Sequence, residues 1–270
     1  MSQIEFLQLS LVPLTVAVLA SVICALPGNF LLLRRQSLMG DAVSHVVLPG
    51  VVGAYVVTGE LATGPMMVGA ALAALVAIGL IETIRLLGKV EPGAAMGVVF
   101  TALFALGVLC LEQSHSSSVH LDVEHVLYGN LENLIWLDAS GWASLLDPRA
   151  LAGLPAPLSR LVILLVIVIV ALAVLWRPLV IGTFDPAFAA SIGARPGASG
   201  VALLVMVALA AVAAFEAVGA IIIVAMFICP AAAARLLTDR LGWQLAWSVV
   251  LAVVAAVSGY VLAALVPTWL

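Results

Sequence analysis

The chain has 270 residues, of which 65% are hydrophobic and only 9% charged, with a mean hydropathy of +1.29 and a formal net charge of −4. That balance excludes a soluble globular domain and describes an integral membrane protein, read here as one transmembrane domain over residues 1–270. The strands of a membrane barrel alternate apolar and polar residues in segments of about ten, a pattern this chain does not follow, so the expected fold is all-α.

A spanning helix needs about 20 apolar residues. Runs near Leu9–Leu33, Leu38–Thr58, Pro65–Ile84, Ala94–Leu111, Leu161–Trp176, Val201–Phe215, Ala217–Ala234 and Trp243–Val266 approach that length, giving a polytopic protein of about eight transmembrane helices. The first run has no basic residue before it, is too long for a signal peptide's apolar region and carries its arginines after it, so it is expected to persist as a span. Those arginines orient the chain. With the N-terminus outside, Arg34, Arg35, Arg85, Lys89, Arg177, Arg195, Arg235 and Arg240 fall in the cytoplasm, leaving Arg149 and Arg160 outside. The same topology puts Glu5, Glu60, Glu112, Asp122, Glu124, Glu132, Asp138 and Asp147 outside. An acidic outer face suits cation arrival, although exported loops are often acidic for no specific reason.

The second span carries the most informative residues. Val46–Thr58 alone is too short to cross a core of about 30 Å, so the helix must start near Leu38, which draws Asp41 and His45 into the membrane. Four residues apart, they lie on one helix face. Pro49 lacks an N–H and leaves the His45 carbonyl without its helical donor. Carboxylate oxygen with imidazole nitrogen suits Mn²⁺, Fe²⁺ or Zn²⁺, whereas Ca²⁺ asks for more oxygens and Cu⁺ for sulfur. The competing reading is that Asp41 caps the helix while His45 satisfies a neighbouring carbonyl.

From Glu112 to Arg160 the chain is more polar, with a short re-entrant or interfacial helix expected around Leu127–Leu137. His115, His120 and His125 recur at five-residue intervals with Asp122 and Glu124 between them; they either capture a metal weakly or are simply solvated. Further on, Thr183–Gly193 reads as a short helix: Asp185 can cap it, Pro186 fits its first position and Gly193 ends it. Phe188 and Ile192, one turn apart, form an apolar strip on a helix too short to stand alone in water, so it needs a surface to dock on. Glu216 sits within the apolar stretch Ser199–Ala234, which must fold as two short spans, with Gly219 allowing a tight reversal. Its carboxylate either completes a metal site from across the bundle or rests in water at an outer hairpin.

Cys24, Cys110 and Cys229 fall in apolar runs without metal-ligand spacing. The chain has neither a G-x-x-x-x-G-K-[ST] phosphate loop nor an H-E-x-x-H helix. A transporter built this way must use an ion gradient or borrow an ATPase.

Five segments, in order, resemble the permease subunit of bacterial ATP-binding-cassette importers for manganese, zinc or iron(II). They are Arg34–His45 with Leu48-Pro49-Gly50, Gly97–Gly107, Val126–Glu132, Phe184–Gly193, and Ala217–Ala220 running on to Pro230–Asp239. The resemblance implies a fold like that of the vitamin-B12-type (type II) importers, in the bacterial inner membrane, with two permease subunits around a central pathway. It further implies partners: an ABC ATPase subunit, a periplasmic or extracellular metal-binding protein and a second permease copy or related chain, with no nucleic acid. In this family the loop matching Asp185, Pro186, Phe188 and Ile192 is the coupling helix for the ATPase, and the residues matching Asp41 and His45 coordinate metal. Glu216 is a weaker carry-over to the same role.

The implied mechanism is alternating access: ATP use beneath rocks the permease pair and the ion passes Asp41 and His45. Nothing is bound permanently as a cofactor and the chain is not itself an enzyme. Manganese is slightly favoured because Tyr128-Gly129-Asn130-Leu131-Glu132 looks more like the manganese members. A gradient-driven secondary transporter or channel is the alternative. An intramembrane metal-dependent hydrolase would need a water-activating base, and only Glu216 could serve.

Overall fold

A backbone in hydrocarbon has no water to bond to, so each segment must satisfy its own N–H and C=O groups, which the helix does. The computed structural model describes residues 3–59, 63–113, 129, 131–139, 141–145, 147, 150–151 and 153–265, and among these every apolar run is helical and no strand occurs. Helix α1 (Leu11–Leu33) is entered through a turn at Gln3–Glu5 and a π-helical stretch, Phe6–Ser10. There follow α2 (Leu38–Thr58), α3 (Thr63–Gly88), α4 (Pro92–Gln113), α5 (Ala156–Phe184), the short α6 (Pro186–Ser191), α7 (Pro196–Leu237) and α8 (Leu241–Leu265).

Helix α7 is broken at Gly219, whose φ of 74° and ψ of 171° lie where a side chain is disfavoured. Its first arm is Pro196–Gly219 and its second Ile221–Leu237. Phe227 of the second arm lies against Gly28 of α1 and Gly40 of α2, both near the end of the bundle that holds α6, so the break turns the chain back. Among the described residues seven helices are long and apolar enough to cross a membrane, and the second arm of α7 is a shorter apolar eighth. The expected spans are therefore all helical. The fifth is longer than Leu161–Trp176, since α5 starts at Ala156 and runs through Arg177 and Pro178 to Phe184.

Helices α1 and α7 form the centre: in their most apolar windows 61% and 67% of residues are buried, against 11% in α8. The buried polar side chains include a bonded pair that joins two helices. The Asn29 amide donates to Ser248 Oγ of α8 at 2.7 Å and to the Ala25 carbonyl at 2.8 Å, all fully buried. A hydrogen bond across two helices in lipid is worth roughly 1 kcal/mol and fixes their register.

The helix expected around Leu127–Leu137 is corrected to a single 3₁₀ turn, Leu131–Asn133, with 134–136 non-helical; residues 126–128 and 130 lie outside the described set. The physical reason is an anchor: Trp136 is fully buried, its indole N–H donates to the Ala150 carbonyl at 2.8 Å and its backbone N–H donates to the Gln8 carbonyl at 2.9 Å. Backbone groups that find partners on another segment are not free to close a helix.

Candidate functional site

Asp41 lies in the first turn of α2, and His45 one turn further on. His45 Nε2 stands 3.3 Å from Asp41 Oδ1, both side chains about one-third exposed at 37% and 33%. Two atoms each ~2.1 Å from a first-row cation stand about 3.0–3.4 Å apart for bond angles of ~90–110°, so the observed spacing already suits chelation. The N-cap position of α2 belongs to Ser37, which makes no side-chain cap bond, and Asp41 is inside the helix. That geometry removes the capping reading of Asp41.

Helix α4 holds the imidazole in place. The His45 ring stacks on Phe100 with centroids 5.5 Å apart and planes at 21°, and meets Phe104 edge-on at 5.9 Å and 79°. Phe100 and Phe104 are themselves one turn apart, so an i, i+4 aromatic pair on α4 faces an i, i+4 ligand pair on α2. The approach of α2 to α4 depends on Gly107, where a Cβ would meet Pro49 Cβ at 2.7 Å. Pro49 thus takes part twice, in releasing the His45 carbonyl and in seating α2 on α4.

Glu216 is placed differently. Its Oε2 accepts from Arg160 Nη1 at 2.8 Å, and the same nitrogen contacts Met67 Sδ at 3.0 Å. Arg160 comes from the first turns of α5, Met67 from those of α3 and Glu216 from the end of the first arm of α7, all at the end opposite α6. Among the described residues no group of three or more His, Cys, Asp or Glu side chains is close enough to hold a metal, so Glu216 does not join Asp41 and His45 within one chain. His115, His120 and His125 lie outside the described residues.

Helix α6 is built by its punctuation. Asp185 Oδ1 accepts from the Phe188 N–H at 2.8 Å, Pro186 occupies the first helical position, and Gly193 with φ of 77° follows the C-cap Ile192. Ala189 is buried while Phe188 and Ile192 are half exposed, an apolar strip turned away from the bundle. Arg34, Arg35, Arg85, Lys89, Arg195, Arg235 and Arg240 stand in the turns and helix ends at this same end. Arg34 donates through Nε to Thr183 Oγ1 at 2.9 Å, and burial, then the neighbouring Arg85, holds its guanidinium pKa below the usual value. Arg85 itself is paired with Glu82 at 2.7 Å.

Composition and spacing did not single out the Phe100–Phe104 clamp, Arg160 or Arg34. The i, i+4 aromatic spacing was a usable signal for the first; the other two depend on which helices meet. A cavity of ≈ 980 Å³ between α1, the second arm of α7 and α8 is lined by residues such as Pro13, Ala17, Met226, Cys229 and Tyr260, and among the described residues no charged side chain lines it.

Residues 3–138 and 155–268 match the profile of the ABC 3 transport family. Among relatives, the chain is 39% identical over 253 residues to the manganese transport system membrane protein MntD of Bacillus subtilis, covering 94% of this chain and 81% of that one. It is 38% identical over 215 residues to the zinc transport system membrane protein TroD of Treponema pallidum, covering 80% and 56%. To the chelated iron transport system membrane protein YfeC of Yersinia pestis it is 30% identical over 244 residues, covering 90% and 71%. The solved PsaBC from Streptococcus pneumoniae in complex with Fab superposes with a TM-score of 0.71 at 27% identity, over 93% of this chain and 81% of that one. With helices, order and sequence in agreement over almost its whole length, the chain belongs to the ABC 3 transport family.

Proposed function

We propose that the chain is the membrane-spanning subunit of an ATP-driven importer that takes a divalent transition metal from an external binding protein and passes it to the cytoplasm. The α6 end faces the cytoplasm in this reading, which accords with its basic residues and the positive-inside rule. The observation that carries the proposal is the Asp41–His45 pair, set at chelating distance inside an apolar helix of a chain whose relatives are named for manganese, zinc and iron transport. Manganese is slightly favoured, on the relatives named for it, since the ligand set of oxygen and imidazole suits manganese, iron and zinc alike.

Two protein ligands, the His45 carbonyl freed by Pro49 and water make an open site, unlike the closed four-ligand cage of structural zinc. Openness is what transport requires, because the site must replace part of the hydration shell and then release the ion. Two permease subunits enclose the pathway, so a second copy or a related chain supplies its other wall. Access alternates as a separate ATPase subunit, docked on Phe188 and Ile192, binds and hydrolyses ATP.

The test is metal uptake by vesicles containing the assembled complex, one divalent metal at a time. Uptake that needs ATP, is blocked by vanadate and survives a protonophore supports the importer. Uptake collapsed by the protonophore with ATP intact supports a gradient-driven transporter instead. For the docking strip, Phe188→Asp is expected to release the ATPase in a pull-down by at least about tenfold, because a carboxylate replaces a half-exposed anchor. Retention of the ATPase would move the docking surface elsewhere.

A further inference from the structure

The turn between α1 and α2 has no slack. The Gln36 N–H donates to the Leu31 carbonyl at 2.8 Å and the Arg35 N–H to the Leu32 carbonyl at 3.1 Å. With Arg35 at φ of 57°, this is a Schellman closure carrying arginine where glycine is usual. Gln36 is buried, and its carbonyl accepts from the Met39 N–H at 2.9 Å, so the end of α1 is bonded directly into the start of α2.

Arg34, the C-cap of α1, reaches from this turn to both flanks of α6. On one side its Nε donates to Thr183 Oγ1 at 2.9 Å. The Thr183 hydroxyl donates in turn to the Leu179 carbonyl at 2.6 Å, which aims its lone pair at the guanidinium. Thr183 lies in the last turn of α5, just before the Asp185 that caps α6. On the other side Nη1 lies over Gly200 in the early turns of α7, where a Cβ would meet it at 3.2 Å. A guanidinium has several donors in a fixed plane, so it can hold two elements at once where an ammonium on a flexible stem cannot.

We propose that Arg34 is the positioning residue that couples the two ends of the mechanism: it ties the α5–α6–α7 docking segment to the turn that launches the Asp41–His45 helix. The inference rests on the transport reading above. When the ATPase displaces α6, Thr183 and the early turns of α7 move with it, and Arg34 carries that movement into α2. Asp41 is in the first turn of α2, so the ligand pair moves with the start of the helix.

The experiment measures ATP hydrolysed per ion imported by the reconstituted complex. Arg34→Met keeps the apolar stem and loses the bond, and is expected to raise the ratio at least about threefold with ATPase retention unchanged in a pull-down, as for a hydrogen bond to a charged group. Thr183→Val is isosteric and should shift the ratio in the same direction, while Thr183→Ser restores it. A purely structural role would lower hydrolysis and uptake together and leave the ratio alone. Ratios within about 1.5-fold of wild type in a coupled complex would overturn the proposal, and Thr183→Val decides it if Arg34→Met fails to assemble. If the wild-type complex imports metal without consuming ATP, the transport reading itself falls, an outcome distinct from an unchanged ratio.

Discussion

Asp41–His45 and Arg160–Glu216 both set a carboxylate beside a nitrogen base within apolar helices, yet they leave different chemistry open. Asp41 and His45 share one helix, one turn apart, and two aromatic rings lie against His45. Glu216 is joined across helices to a guanidinium that also contacts Met67. Arginine stays protonated in proteins, so the Glu216 carboxylate already has its cation. An imidazole can instead offer a lone pair, so in the proposed reading the first pair takes up the metal while the second is neutralised from within. Carboxylates at two ends of a membrane bundle are thus not equivalent ligands, and the difference lies in their partners.

The largest expected break of this comparison is at the first pair. Asp41→Ala and His45→Ala should each reduce metal uptake by more than about 100-fold with assembly and basal ATPase activity retained, since each removes one of two side-chain ligands. Normal uptake by the double variant, at normal protein levels, would remove the pair from the pathway. Next comes the clamp. Phe100→Ala frees the stacked face of His45, and an aromatic contact worth about 0.5–1.5 kcal/mol corresponds to roughly a 2–10-fold rise in the apparent KM for metal. Phe104→Ala should do less, because the edge contact is longer. An unchanged KM in both variants would mean that α4 does not hold the imidazole in its working position.

The smallest effect on transport is expected at the second pair. Glu216→Gln should change uptake less than about threefold while lowering the thermal midpoint of the purified protein by a few degrees, as for a partly exposed ion pair of about 1 kcal/mol. If Glu216→Gln abolished uptake as Asp41→Ala does, the contrast would collapse and Glu216 would belong among the metal ligands.

Much of the fold was legible because hydrocarbon permits few backbone solutions: apolar runs must be helices, and their number follows from run length. Asp41 and His45 were legible for the same reason, since ionisable residues in such a run stand out. So was the punctuation of α6, because Asp185, Pro186 and Gly193 act on their own local backbone. The segment before Trp136 was misread as helical, since Leu134 and Ile135 close only tight local turns and the Trp136 N–H goes to Gln8, far away in sequence. Phe100, Phe104 and Arg160 escaped notice because phenylalanine in an apolar helix and arginine at a helix end are unremarkable until their contacts are known.

The sequence by itself determined the solvent, the helices, their order and the two residues on one face of α2, all consequences of local spacing and of what a bilayer forbids. Only the tertiary structure decided that Asp41 is inside its helix, that Glu216 is held by Arg160, that His45 lies between two rings of α4 and that Arg34 reaches Thr183. Those are facts about side chains far apart in the chain, and their pairing depends on how helices pack, which no local spacing records.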